Sequence, residues 1–510
     1  MRIAAVDLGS NSFHLLGADA QPDGRFVPLV RAKERLRLGD VVSRLGRIPT
    51  SAADRAVATM TRFAALAASA GCTEVVACGT SALREAENGG EVVDRIAREA
   101  GIEVRVITGA EEARLIFEAV RASVVIDPAP ALALDLGGGS LEATVGDRSG
   151  LRWAASLKLG AARLTAELVR HDPPSEDDLD RLGRRCREGL AAIAGEVAEH
   201  RPRMVVGTSG TLCTLARMAL ARRPGATVPE SLNQLSVTRA ELEGVHGELV
   251  GLAAPERARL RGLDEGRADI IVAGSTLLVT ALDVLDLGEL VVSEWALREG
   301  IVLDAIAHHD SADWSGDPRA IRRASVLDLC RRCNADGPHA EQVARLALRL
   351  FDESRGLHGL ADGDRELLEH ACLLHDIGAH VSTEGHHKHT AYLIRHGHLR
   401  GFAPEEVAAL AAIGRHHRGS APKRSKEPLA LLPRERQDEV VKLTALLRLA
   451  DGLDKARAGA VSDLRLERQG RTARLVVSAD ADIDVDLWGA RRKRQLFESI
   501  FDCHLDVIAG

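Results

Sequence analysis

Ile3-Ala4-Ala5-Val6-Asp7-Leu8-Gly9-Ser10-Asn11-Ser12 is an apolar strand that runs into a turn of small, polar residues around one aspartate. The pattern returns as Ala131-Leu132-Ala133-Leu134-Asp135-Leu136-Gly137-Gly138-Gly139-Ser140, with Asp135 lying 128 positions after Asp7. Gly79-Thr80-Ser81 and Gly207-Thr208-Ser209 close two further strands and are also 128 positions apart. One such turn is ordinary punctuation between elements. Two matched pairs at one offset point to a duplicated unit whose related loops face each other. Each loop has the chemistry of a phosphate cradle: glycines admit close backbone approach, N–H groups face an anion, and the aspartate can hold a metal or a water. Two such half-sites across a cleft suit a phosphoanhydride.

Outward from these turns, strands and helices alternate. A helix is expected over 51–70, a strand over 74–78, a helix over 90–100 and a strand over 104–107. A helix opening near Gly109 with Glu111 and Glu112 follows, and residues 126–308 repeat the plan. Alternation of this kind gives an α/β fold with a partly parallel sheet. The acids of Asp172-Pro173-Pro174-Ser175-Glu176-Asp177-Asp178 read as a helix start. The polar run 309–318 reads as a boundary. From 319 to 459 apolar residues recur every three or four positions, so an all-α domain is expected. From 460 to 510 strands return before a final amphipathic helix over 491–506, giving a small α/β tail. The expected domains are therefore 1–125, 126–308, 319–459 and 460–510.

Composition narrows the function. Aromatics are 3% of the chain with Tyr392 the single tyrosine, which argues against nucleic-acid binding by base stacking. The net charge of −7 leaves any attraction for polyanions to local basic clusters. Candidates are Arg415-His416-His417-Arg418, Lys423-Arg424-Ser425-Lys426 and Arg491-Arg492-Lys493-Arg494, although each run is also what a solvated surface looks like. The eight scattered cysteines make no disulfide framework, and Cys330 and Cys333 in a helical stretch read as structural. Met1-Arg2-Ile3 runs straight into a strand and no apolar run reaches membrane length, so a cytoplasmic protein without membrane contact is expected.

Seven segments in order carry a family resemblance: Val6–His14, Gly79–Arg84, Ile107–Ile116, Leu134–Glu142, Gly207–Thr211, Arg267–Gly274 and Ala296–Gly300. Together they resemble the exopolyphosphatase/guanosine pentaphosphate phosphohydrolase family of the actin-like and sugar-kinase superfamily, over roughly residues 1–305. The resemblance implies two ribonuclease-H-like domains with a phosphate cleft between them. It implies that Glu112 activates water and that Arg84 stabilises charge on the transferred phosphoryl group. Asp135 and Glu142 would hold Mg²⁺. Ser10, Asn11, Ser12, Gly137, Gly138, Gly139 and Ser140 would cradle phosphate oxygens, with Ser209, Gly210 and Thr211 further along the chain. Phosphoryl transfer needs positioning and charge neutralisation above all, which this set provides. Leu141 departs from the family, where threonine is usual. The implied substrates are inorganic polyphosphate or guanosine pentaphosphate, and the implied assembly is a homodimer. A kinase-like ATPase on the same fold and a non-enzymatic polyphosphate or nucleotide sensor are the competing readings. The sensor would require loss of Glu112, Asp135 or Glu142, and all are present.

A second constellation lies in the helical region: His339, the pair His375-Asp376, and Asp451. The order resembles the HD superfamily of metal-dependent phosphohydrolases. Nitrogen and oxygen ligands from three helices would surround one divalent ion, with Mn²⁺, Fe²⁺ or Zn²⁺ suiting that donor mix. His386, His387, His389, His416 and His417 fall between them and could extend the site to a second metal or bind phosphate. On this reading the helical domain is a second phosphohydrolase centre; the alternative is a structural wall of buried histidines.

Overall fold

The computed structural model describes residues 1–21, 26–126, 129–225, 228–309 and 318–510. Most of the expected boundary at 309–318 lies outside them. The chain divides into two compact units, Met1–Ile321 and Arg322–Gly510.

Unit 1 holds two sheets. Strands β1 (Arg2–Leu8), β2 (Ser12–Ala20), β3 (Phe26–Arg35), β4 (Glu74–Gly79) and β5 (Val104–Val106) form a sheet in the order β3-β2-β1-β4-β5. Strands β6 (Ala131–Leu136), β7 (Leu141–Asp147), β8 (Gly150–Leu157), β9 (Met204–Thr208), β10 (Ser236–Thr238) and β11 (Glu289–Val292) form the other, in the order β10-β11-β9-β6-β7-β8. The first strand of each sheet starts an antiparallel hairpin and pairs in parallel with the strand that ends at the second turn, β4 or β9. Apart from the added edge strand β10, the order and direction are the same, as for the actin-like type of α/β domain. The register repeats too: Asp7 lies opposite His14, and Asp135 opposite Glu142.

β1 is apolar on both faces because it sits mid-sheet between two cores. Ile3 and Ala5 point into one cluster, Ala4, Val6 and Leu8 into another. The first cluster also takes Ala131, Ala133 and Val206 from the second sheet, with Leu297 and Ile301. A shared core explains why residues 1–125 and 126–308, expected as two domains, pack as one unit.

In unit 2, helices Gly337–Glu353, Asp362–Leu374, His386–His396, Pro404–His416 and Arg434–Gly452 surround one core. The strands β12 (Val461–Gln469), β13 (Thr472–Ala479) and β14 (His504–Ala509) form a sheet in that order. Residues 460–510, expected as a separate tail, contribute Leu464, Leu475, Leu487, Phe497 and Leu505 to the same core as the helices. The expected final helix over 491–506 is corrected. Helices Asp484–Lys493 and Gln495–Phe501 end at Asp502, whose φ of 45° stops the helix. Leu505 and Val507 are then buried alternately, as a strand requires. The basic run 491–494 thus closes one helix instead of opening the last.

Ser175 caps the helix Glu176–Glu199 in a capping box with Asp178, so the acids after Pro174 mark a helix start. All eight cysteines are free. Among the described residues no helix is long and apolar enough to cross a membrane.

Candidate active site

The two glycine turns meet. The carbonyls of Gly137 and Gly138 accept N–H groups from Ala161, Ala162 and Arg163 at the start of the helix Ala161–Leu168. The carbonyls of Ser10 and Asn11 accept from Gly39, Leu36 and Arg37. Both loops are therefore pinned from behind. A Cβ on Gly139 would stand 2.5 Å from Ser10 Oγ and 2.7 Å from Ser81 Oγ, so only glycine lets the loops approach. Arg163 completes the join: its Nε donates to Gly139 O at 2.8 Å and its Nη2 to Glu85 Oε1 at 2.8 Å.

A cavity of about 580 Å³ opens at this junction. Asp7, Glu112, Asp135 and Glu142 line it, with Ser10, Asn11, Ser12, Gly137, Gly138, Gly139, Ser140, Ser209 and Gly210. Thr108 caps the helix Gly109–Ser123 by accepting from Glu111 N, which sets Glu112 in the buried first turn. Ser209 begins the helix Ser209–Leu220 at φ 90°, a strained angle for a residue with a side chain, and its Oγ donates to Leu136 O at 2.8 Å.

Two expected residues lie elsewhere. Arg84 is absent from the cavity lining; its Nη1 donates to Ile107 O at 2.6 Å and to Glu112 Oε2 at 3.1 Å. The guanidinium is committed to the carboxylate that it was expected to work beside. Thr211 is buried, and its hydroxyl accepts from Arg267 Nη1 at 3.1 Å. Arg114 pairs with Asp304 at 2.8 Å.

Burial and mutual repulsion strain the acids. Burial, more than the neighbouring Glu299 and Glu142, pushes Asp7 up to about 7 against the pull of Arg298. Burial and then Glu142 hold Glu112 well above the usual carboxylate range, with Arg84 offsetting part. Asp135 is raised by burial, Glu142 and Asp7. Glu142 is raised by burial and steadied by Ser140 and by Ser156, whose Oγ donates to Oε1 at 2.8 Å. Asp7 Oδ1 is buried without a hydrogen-bond partner. An all-oxygen, over-charged set with an orphaned oxygen fits a hard divalent cation such as Mg²⁺.

Five cations also line the cavity: Arg31, Lys33, Arg217, Arg267 and Arg298. Sequence reasoning quoted Arg267 and Arg298 within motifs without assigning them a role, and it missed the other three. The alternation Arg31, Lys33, Arg35 on β3 was the available signal, since every second residue of a strand shares a face. Ser156 and Arg163 carried no local signal.

Unit 2 gathers a separate cluster. The Nε2 atoms of His339 and His375 lie 3.7 and 3.9 Å from Asp451 Oδ1, and His375 Nε2 lies 3.8 Å from Asp376 Oδ1. Both rings are buried, and both Nε2 atoms lack a hydrogen-bond partner. His339 Nδ1 bonds Asp454 Oδ2 at 2.7 Å, and His375 Nδ1 bonds Cys372 O at 2.7 Å.

Paired hairpins of one register, phosphate-cradling turns and a carboxylate cluster ringed with cations define a phosphoryl-handling α/β protein. The chain belongs to the Ppx/GppA phosphatase family. The profile of that family matches residues 19–309, and the profile of Ppx/GppA phosphatase domain III matches 321–487. It is 36% identical over 329 residues to exopolyphosphatase 1 of Mycobacterium leprae, covering 64% of this chain and 94% of that protein. The solved exopolyphosphatase of Cytophaga hutchinsonii is 32% identical with a TM-score of 0.57, over 60% of this chain and 98% of that one. The Aquifex aeolicus Ppx/GppA family member is 28% identical with a TM-score of 0.52, over 61% and 98%.

Proposed function

We propose that the cleft of unit 1 hydrolyses terminal phosphoanhydride bonds of inorganic polyphosphate. The observation that carries this is Glu112, buried at the cavity wall and held by Arg84 at 3.1 Å, facing two glycine turns. Held in this way, Glu112 takes a proton from a water as its oxygen bonds to the terminal phosphorus. The bridging P–O bond breaks and the shortened chain leaves. Arg84 acts here as a positioning residue that orients the carboxylate. The turns at Ser10–Ser12 and Gly137–Ser140 hold the terminal phosphate oxygens, and the five lining cations neutralise the following phosphates. Asp135 and Glu142, with Asp7 beside them, would hold Mg²⁺, which supplies charge neutralisation at the terminal phosphate.

Polyphosphate is preferred over guanosine pentaphosphate because of the lining. Among the described residues the cavity wall has five cations and no Phe, Tyr or Trp side chain on which a guanine could stack. The test is phosphate release from long polyphosphate, short polyphosphate and guanosine pentaphosphate side by side, with Mg²⁺ and with a chelator. A higher kcat/KM for guanosine pentaphosphate would overturn the preference, and chelator-resistant turnover would overturn the metal assignment.

A second reading concerns unit 2, where the two orphaned Nε2 atoms favour an HD-type site. His339, His375, Asp376 and Asp451 would hold one divalent ion, with Mn²⁺, Fe²⁺ or Zn²⁺ matching the mix of nitrogen and oxygen donors. A cytoplasmic location and a homodimer belong to the same proposal, by likeness to the family.

A further inference from the structure

Three consecutive carbonyls of the turn Gly137–Ser140 are tied to the helix Ala161–Leu168. Gly137 O accepts from Ala161 N, Gly138 O from Ala162 N and Arg163 N, and Gly139 O from Arg163 Nε. A trans peptide sets its N–H opposite its C=O. The N–H groups of Gly138, Gly139 and Ser140 therefore turn away from that helix, on a loop that lines the cavity. Successive amides held in this way make a cradle for an anion. The bonds to Gly137 and Gly138 are backbone bonds that any non-proline residue could make. The bond to Gly139 needs the guanidinium of Arg163.

That guanidinium also reaches across to the first half of unit 1. Its Nη2 donates to Glu85 Oε1 at 2.8 Å and to Ser81 Oγ at 3.3 Å. Ser81 Oγ in turn donates to Glu85 Oε1 at 2.8 Å. The two charged side chains are largely withdrawn from water, at 12% and 19% exposure. Burial works against the Glu85 carboxylate, but Ser81 and Arg163 outweigh it and hold the group below its usual range. Two weaker partners complete the cluster. Glu167 Oε1 lies 3.7 Å from Arg163 Nη1, and the mostly exposed Lys158 Nζ lies 3.4 Å from Glu85 Oε2.

Glu85 is the neighbour of Arg84 on the short helix Ser81–Glu85, and Arg84 holds Glu112 at 3.1 Å. One chain of bonds thus begins at the phosphate cradle and ends at the water-activating carboxylate. It runs from Gly139 O through Arg163 and Glu85, along one helix turn, to Arg84 and Glu112. We infer that Arg163 and Glu85 are a positioning pair that sets the distance between the cradle and Glu112. This rests on the hydrolytic reading of the cleft. Neither side chain lines the cavity, so neither touches the substrate. Both halves of the reaction depend on the pair all the same. Water is held by one half of unit 1 and the terminal phosphorus by the other, and in-line attack requires them within about 3–3.5 Å. The contact of Gly139 with Ser10 and Ser81 sets only how close the turns can come. A charge-assisted bond, being directional and strong, also stops them from parting.

The test measures kcat and KM on short polyphosphate with Mg²⁺, using the full chain. Glu85→Gln breaks the ion pair and leaves Arg163 on Gly139 O. Its kcat should fall by about 10²-fold, the loss that a misplacement of about 1 Å produces, with KM little changed. Arg163→Met also frees the Gly139 peptide, so KM should rise as well as kcat fall. The double variant should have the kcat of Arg163→Met, because both changes break one link. Arg163→Lys keeps the charge without the fork and should still lose about tenfold in kcat; it serves if Arg163→Met does not fold. Lys158→Met should leave both constants unchanged. A pair with a purely structural role would lower the unfolding temperature and leave kcat and KM of the folded enzyme as they were. That result, losses that multiply in the double variant, or a loss in Lys158→Met equal to that in Glu85→Gln would overturn the inference while the hydrolytic reading stands. A wild-type chain that releases no phosphate from polyphosphate would overturn that reading and the inference with it.

Discussion

Glu112 is costly to bury and useful because it is buried. Away from water, with Glu142 beside it, its carboxylate is a stronger base than an exposed one, and the Arg84 hydrogen bond keeps it aimed. Glu112→Gln keeps the shape and removes the base. Its kcat on polyphosphate should fall by about 10²–10⁴ while the binding constant for the chain changes little, measured by single-turnover release and by calorimetric titration. Asp7 makes a stability prediction. In the folded protein it is raised to about 7. Below pH ~4 both folded and unfolded chains carry it protonated and it contributes nothing. Between pH ~4 and ~7 the unfolded chain ionises first, so stability falls as pH rises. Above pH ~7 the loss is complete, on the order of 4 kcal/mol. In chelator, denaturant titrations across this range should show that slope, and Asp7→Asn should flatten it; added Mg²⁺ should oppose it. An unchanged slope in Asp7→Asn would mean that Asp7 is not the titrating group. These acids were legible in the sequence because each sits at a fixed place in a local motif. Arg31, Lys33, Ser156 and Arg163 were not, because strand register and a contact between distant loops bring them in. Arg84 stood in its motif, but no motif states which way a long side chain turns; in the fold it turns to Glu112.

At the scale of elements, the glycine turn is the part least able to change. Gly139→Ala places a methyl group 2.5 Å from Ser10 Oγ, against backbone that helix and strand both fix. Overpacking of this kind costs about 1–3 kcal/mol, and here the strain falls on the loop that holds the phosphate. KM for short polyphosphate should rise at least tenfold with the fold intact by circular dichroism; an unchanged KM would remove this turn from the cradle. The duplication itself was readable, because strand, turn and spacing are local properties and the offset repeats them. The last forty residues show the opposite case. Leu496, Phe497, Ile500 and Phe501 have helical spacing, while Leu505 and Val507 alternate. One short window blends the two periods, and only the left-handed Asp502 separates them.

At the scale of the whole molecule, the apolar clusters of unit 1 and the cluster of unit 2 have no residue in common, and two separate sets mean two unfolding events. The sequence leads one to expect domains at 1–125, 126–308, 319–459 and 460–510, and the fold groups these residues into two compact units. Sharing of a core across residues 1–308, or across the helices and residues 460–510, is a property of packing that periodicity cannot display. The site in unit 2 then gives a handle on one transition alone. A ligand that binds only the folded state stabilises by RT ln(1 + [L]/Kd), about 2.7 kcal/mol at one hundred times Kd. For a unit of this size that is a rise of roughly 5–10 °C in Tm. Calorimetry of the full chain in chelator should show two transitions, and added Mn²⁺ should raise one of them by that amount. His375→Ala should abolish the rise in that transition, because His375 is fully buried at the centre of the cluster and no other ring can replace its Nε2. Glu112→Gln should leave the rise in place, because that residue lies in the other unit. A Mn²⁺ shift that survives His375→Ala would locate the ion elsewhere and reduce the histidine cluster to packing.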